Sequence, residues 1–76
     1  MNVWRYNDKK FPDQLRQMRK SLGKSQLEFG SSLGLTQELV SLYELGKRQP
    51  SIGTLIKIAE ALEVDEIRIE VNHGEV

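Results

Sequence analysis

Seventy-six residues with no cysteine and a formal net charge of zero make one small domain, with no disulfide framework and no thiolate metal site. Residues 1–50 hold nine Lys or Arg against five Asp or Glu, and residues 51–76 hold two against six. A neutral chain thus has a basic first half, able to meet phosphate, and an acidic second half; chance asymmetry in a short chain is the plain alternative. No apolar run is long enough to span a membrane, and residues 1–10 carry charges rather than a signal-like apolar core. A domain of this size buries only about 60% of its unfolded surface, so a partner subunit would help it.

In chain order, residues 1–10 form an N-terminal arm without clear period. Val3, Trp4 and Tyr6 are set to make a short strand or to pack as an anchor, and Asp8, Lys9 and Lys10 look solvated. A first helix is expected from Phe11 or Pro12 to Leu22. Proline is tolerated in a first turn, where its missing N–H would have no helical partner, and Asp13 suits the helix dipole there. Leu15, Met18 and Leu22 make one apolar stripe, and Gly23 is a stop.

Ser25 caps a second helix, with Glu28 three residues on completing a capping box. Leu27, Phe29, Gly30 and Leu33 are expected to face inward, and Gly34 ends the helix. A mid-helix glycine costs about 1 kcal/mol relative to alanine, so Gly30 points to a close approach by the next helix. Thr36 caps a third helix running to about Leu45. Val40, Tyr43 and Glu44 share one side, with Gln37, Glu38, Ser41 and Leu42 nearer the other. Gly46 ends it, and Lys47, Arg48, Gln49 and Pro50 make a basic loop. Ser51 caps a fourth helix, Ile52 to Leu62, with Leu55, Ile58, Ala59 and Leu62 as its stripe. Ile67, Ile69 and Val71 then alternate with Arg68, Glu70 and Asn72, a strand signal.

Two short helices about a tight glycine turn, with a second glycine and a proline closing the unit, have the shape of a helix-turn-helix. Here the chain resembles the Cro and phage-repressor (lambda-repressor-like) family over Leu15 to Val64. The resemblance rests on Arg19, on Ser25-Gln26, on Leu33-Gly34, on Thr36, on the run Tyr43-Glu44-Leu45-Gly46-Lys47-Arg48-Gln49-Pro50, and on Ala59-Glu60-Ala61-Leu62. It implies a mainly α fold, a four-to-five-helix DNA-binding domain with a C-terminal β-strand. Residues 1–10 would be the arm, 11–64 the helix-turn-helix domain and 65–76 the strand and tail.

The resemblance also implies roles. Gln26 would sit beside a phosphate and brace a recognition side chain. Thr36, Gln37, Glu38, Ser41 and Leu42 would belong to the DNA-binding surface, Gln37 and Glu38 where base edges are reached. Lys47 and Arg48 would hold the backbone, and Arg19 and Glu44 would form an inter-helix ion pair. The chemistry agrees: glutamine can pair with adenine N6 and N7, glutamate can accept from cytosine N4, and leucine can touch a thymine methyl. Ordinary polar surface is the plain alternative for Gln26, Gln37 and Ser41, and a solvated loop for Lys47 and Arg48. Departures from the family pattern are Lys24, Gly30, Glu38, and the leucines 39, 42 and 45, which bring apolar side chains to the recognition helix.

A lone histidine, His73, makes no metal site, and no serine has the spacing of a triad. No enzyme activity and no cofactor are expected. The expected partners are double-stranded DNA and a second copy of the chain, in the cytoplasm, with no membrane. Three pairings suit the terminal strand: its two-fold mate in a dimer through Ile67, Ile69 and Val71, which is favoured; residues 3–6 of the same chain; or a partner protein. The alternative function is an antitoxin-type module that neutralises a toxin protein and regulates its own operon.

Overall fold

Each of the three short helices begins where a hydroxyl satisfies a backbone N–H that the helix itself cannot. Ser25 Oγ accepts from Glu28 N at 3.1 Å while Glu28 Oε1 accepts from Ser25 N at 2.9 Å. Thr36 Oγ1 accepts from Leu39 N at 3.1 Å, and Ser51 Oγ from Thr54 N at 3.2 Å. These caps open α2 (Gln26–Leu33), α3 (Gln37–Glu44) and α4 (Ile52–Ala61). The preceding helix, α1 (Phe11–Ser21), has no side-chain cap at Lys10 and carries Pro12 in its first turn. The computed structural model describes residues 2–70, and four helices lie among them.

Gly23, Gly34 and Gly46 take φ of +67°, +72° and +72°, the left-handed geometry that ends a helix cheaply only at glycine. Gly30 serves sterics instead. A Cβ there would stand 2.9 Å from Leu35 O and 3.2 Å from Thr36 C. The close neighbour is the backbone of the α2–α3 turn and the cap of α3.

Two strands, β1 (Val3–Tyr6) and β2 (Glu66–Ile69), pair in parallel, with Trp4 opposite Ile67 and Tyr6 opposite Ile69. Asp65 N donates to Asn2 O at 3.0 Å and Glu70 N to Tyr6 O at 2.8 Å, extending the ladder at both ends. Parallel pairing demands a long crossover, and here all four helices are that crossover. Of the three pairings expected for the terminal strand, the chain makes the one with its own residues 3–6. One edge of β2 is filled from within the chain, in the second of the three arrangements, so a two-fold mate is not needed to cover that edge. Ile67 packs half-buried against the core and Ile69 is 50% exposed. Val71 and His73 lie outside the described residues.

The arm is no appendage. Trp4 and Tyr6 are buried with Phe11, Leu15, Phe29, Leu33, Val40, Tyr43, Leu55, Ile58 and Ala59 in one cluster. Ring centroids step from Trp4 to Phe11 at 6.1 Å, from Tyr6 to Phe11 at 5.3 Å, and from Phe11 to Tyr43 at 5.8 Å. Aromatic contacts thus run from the sheet through α1 to α3. One residue expected inward lies outside, and one expected on an outer face lies inside. Leu27 is 58% exposed, because on an eight-residue helix the inward side is claimed by Phe29, Gly30 and Leu33. Leu39 lies half-buried against the core rather than on the outer face of α3.

Candidate nucleic-acid interface

The period of α3 divides its side chains into two sides. Val40, Tyr43 and Glu44 are buried. Gln37, Glu38 and Leu45 are exposed, and Ser41 and Leu42 are half-buried at the borders. Thr36 is exposed as well, but its oxygen is engaged in capping, which leaves its O–H as the group free to donate. Among the described residues the side chains of Gln37 and Glu38 make no hydrogen bond within the chain. One side of the helix is thus locked into the molecule, and the other, with Gln37 and Glu38 and with Leu45 just beyond its end, is open to solvent.

The locked side centres on Glu44, 4% exposed. Its carboxylate takes two hydrogen bonds from Arg19, Nε to Oε2 at 2.7 Å and Nη2 to Oε1 at 3.0 Å. Gln26 Nε2 donates to the same Oε1 at 3.2 Å. Arg19 Nη1 also donates to Lys24 O at 3.0 Å, fixing the segment that leads into α2. One buried charge therefore gathers α1, α2 and α3. Burial pushes the Glu44 carboxyl up, but the hydrogen bonds from Arg19 and Gln26 and the charges of Arg19 and Arg16 outweigh it and hold the group below the ordinary carboxylate range. The hydrogen bond to Glu44 raises Arg19 above the usual guanidinium range, against the opposing effect of burial.

The ionised, fork-matched pair of Arg19 and Glu44 is the strong form of such a contact, and its place between helices makes it architectural. Gln26, expected beside a phosphate, spends one amide hydrogen on Glu44. Its second amide hydrogen remains for a ligand. Lys47 and Arg48 follow α3 on the exposed loop, and among the described residues neither forms an ion pair. The structure thus joins Gln26, Arg19 and Glu44 directly. It sets Thr36, Gln37, Glu38, Ser41 and Leu42 along a single helix, with the two basic residues just beyond its end.

Arg16 was not singled out from the sequence. Its Nη2 donates to Glu44 O at 3.0 Å, and its Nη1 meets Asp13 Oδ1 at 3.2 Å. The available signal was its spacing of three from Arg19, which places both guanidiniums on one side of α1. Among the described residues no cluster of His, Cys, Asp and Glu could hold a metal ion, and no helix is long and apolar enough to cross a membrane.

A family model described as helix-turn-helix matches residues 15–69. The uncharacterised HTH-type transcriptional regulator y4dL of Sinorhizobium fredii is 35% identical over 60 residues, 79% of this chain and 31% of that protein. The uncharacterised HTH-type transcriptional regulator YqaE of Bacillus subtilis is 37% identical over 54 residues, 71% of this chain and 47% of that protein. The cryptic phage CTXphi transcriptional repressor RstR of Vibrio cholerae is 33% identical over 55 residues, 72% of this chain and 49% of that protein. The chain spans half or less of the length of these curated relatives. No solved structure matches. The family match runs from Leu15 of α1, through the capped pair α2 and α3, to the last residue of β2, and on that span the chain belongs to the helix-turn-helix family.

Proposed function

We infer that the chain is a sequence-specific transcriptional regulator that binds double-stranded DNA as a dimer on an inverted repeat. One α3 enters each major groove, with half-sites about one helical turn apart. The observation that carries this is the division of α3: Val40, Tyr43 and Glu44 are locked into the molecule, while Gln37 and Glu38 stand exposed at its N-terminal end. Gln37 suits adenine and Glu38 suits cytosine N4, while Leu42 at the border suits a thymine methyl. Lys47 and Arg48 add salt-sensitive, sequence-independent affinity, with the hydroxyl of Thr36 and the second amide hydrogen of Gln26 as further phosphate donors. Repression is the favoured direction, because a relative carries the name of a phage repressor. Its mechanism is occupancy: a bound dimer blocks polymerase.

The antitoxin-type alternative has less behind it. Leu39 packs against the core, and β2 already has a strand partner. What supports a protein partner is the exposure of large apolar side chains, among them Leu27, Leu45, Ile52, Ile56 and Ile69.

The test is selection of bound duplexes from a random library by the purified protein at near-physiological salt. An enriched inverted repeat is the expected result. A folded protein that enriches nothing overturns the reading and turns attention to a protein partner.

A further inference from the structure

We propose that Arg16 is a positioning residue for the reading helix, setting the rotation and slide of α3 against α1 without itself contacting DNA. The proposal rests on the function inferred for α3. Glu44 is the last residue of α3, and its carbonyl is one of those that a helix leaves without an internal partner. Arg16 Nη2 donates to that carbonyl at 3.0 Å, while Arg16 Nε lies 3.9 Å from Oε1 of the same residue. Arg19, one turn further along α1, holds the carboxylate at 2.7 Å and 3.0 Å. The two arginines therefore grip one residue at two different points, main chain and side chain. A single grip would leave a pivot, and two grips fix an orientation.

Asp13 Oδ1 accepts from Arg16 Nη1 at 3.2 Å, which anchors the guanidinium on its own helix before it reaches across. The planar fork matters here. One guanidinium can address the Asp13 carboxylate, the Glu44 carbonyl and the Glu44 carboxylate in three directions, and a lysine ammonium on a flexible stem cannot hold them all in one geometry. A binding constellation must be held to within roughly 0.5 Å and 10–20° to read its target. Slack at Glu44 rotates α3 about its axis and turns Gln37, Glu38 and Ser41 away from their bases together. Phosphate contacts by Lys47 and Arg48, made through long exposed stems beyond the end of α3, tolerate the same slack. The effect of Arg16 therefore falls on discrimination between sequences more than on overall affinity.

The experiment uses the whole chain with Arg16→Ala and Arg16→Lys. Affinity is measured across a salt series for the duplex enriched from the library and for a shuffled duplex of equal composition. The backbone amide spectrum of each variant is recorded without DNA. The expected result is a roughly 2- to 30-fold fall in the ratio of the two affinities for both variants, with an unchanged salt slope. In the spectra, shifts should spread along α3 from Glu44 to Gln37. A salt slope reduced by about 0.9 with the ratio intact makes Arg16 a phosphate ligand and overturns the proposal. Full rescue by Arg16→Lys overturns it too, since charge alone would then suffice. So does a spectrum whose changes stop at residues 13–16 and 44–45. If the wild-type chain prefers no duplex, the functional reading fails, and the spectra still decide whether Arg16 sets the orientation of α3.

Discussion

Gly30 and Gly53 show how one residue type carries opposite consequences. Both sit inside helices, where alanine is better by about 1 kcal/mol. At Gly30 a Cβ would press on Leu35 O at 2.9 Å, a backbone atom that cannot swing aside. At Gly53 a Cβ would meet only Ser51 Oγ at 3.8 Å. Gly30→Ala is expected to lower stability by a net 1–2 kcal/mol or so, the overpacking cost exceeding the helix gain. Gly53→Ala is expected to raise it by about 0.5–1 kcal/mol. Urea midpoints of the two variants check this, and midpoints that move in the same direction would refute the steric account of Gly30. The need for glycine at position 30 was legible in the sequence as an anomaly. What pressed on it was not, because the neighbour is a turn formed only when α2 and α3 fold back. Gln37 belongs to the same scale. Gln37→Ala should cost about 1–3 kcal/mol on the preferred duplex and little on a shuffled one. Equal loss on both, read by titration at fixed salt, removes its base-reading role.

Element boundaries were the most legible feature because they are written locally. Ser25, Thr36 and Ser51 each cap the helix that follows within three residues, so nothing distant is needed to see them. The ion pair of Arg19 with Glu44 was legible only through the family resemblance, which also gave Gln26 a bracing role without naming its partner, and the hydrogen bond of Arg16 to Glu44 was signalled only by the spacing of Arg16 from Arg19. The contacts of Arg16 and Gln26 with Glu44 span 28 and 18 residues and depend on the angles at which three helices meet. Their convergence on one carboxylate gives the three helices a common response to acid. The Glu44 carboxyl is held below its ordinary value of 4.5, so its contribution is fully present above that value and is lost as pH falls through the depressed native value. Wild-type stability should therefore fall as pH drops below about 4.5. Glu44→Gln should start about 1.5–3 kcal/mol less stable at neutral pH, having lost charged hydrogen bonds, and should lose less on acidification. Denaturation midpoints across the acid range, compared between the two proteins, test this. Parallel curves would mean that other carboxylates govern the acid response.

At the scale of the whole molecule, the sequence marked the second strand and left residues 3–6 as either a strand or a packed anchor. Alternation at Ile67 and Ile69 marks a strand, yet nothing local says that its partner lies more than sixty residues earlier, in a segment with no clear period. Parallel pairing supplies the reason for the arm's composition. Trp4 and Tyr6 face the core beside Ile67, and through Phe11 they reach Tyr43 on α3. The arm therefore closes the same core that seats α3. Trp4 is 6% exposed, and replacing a buried tryptophan by alanine costs about 3–5 kcal/mol. A 76-residue domain at about 0.05–0.15 kcal/mol per residue has a total stability of roughly 4–11 kcal/mol. Trp4→Ala should therefore remove a large share of the stability, lower the melting temperature by well over 10 °C on the usual scale of about 4–8 °C per kcal/mol for a domain of this size, and weaken DNA binding on warming although Trp4 lies on the sheet and not on the exposed side of α3. Far-ultraviolet circular dichroism melts follow the helices directly. A single transition shifted downward supports one cooperative unit that includes the arm, whereas an unshifted helix melt would return residues 1–10 to the status of a separate arm and make the sheet an ornament on an autonomous four-helix domain.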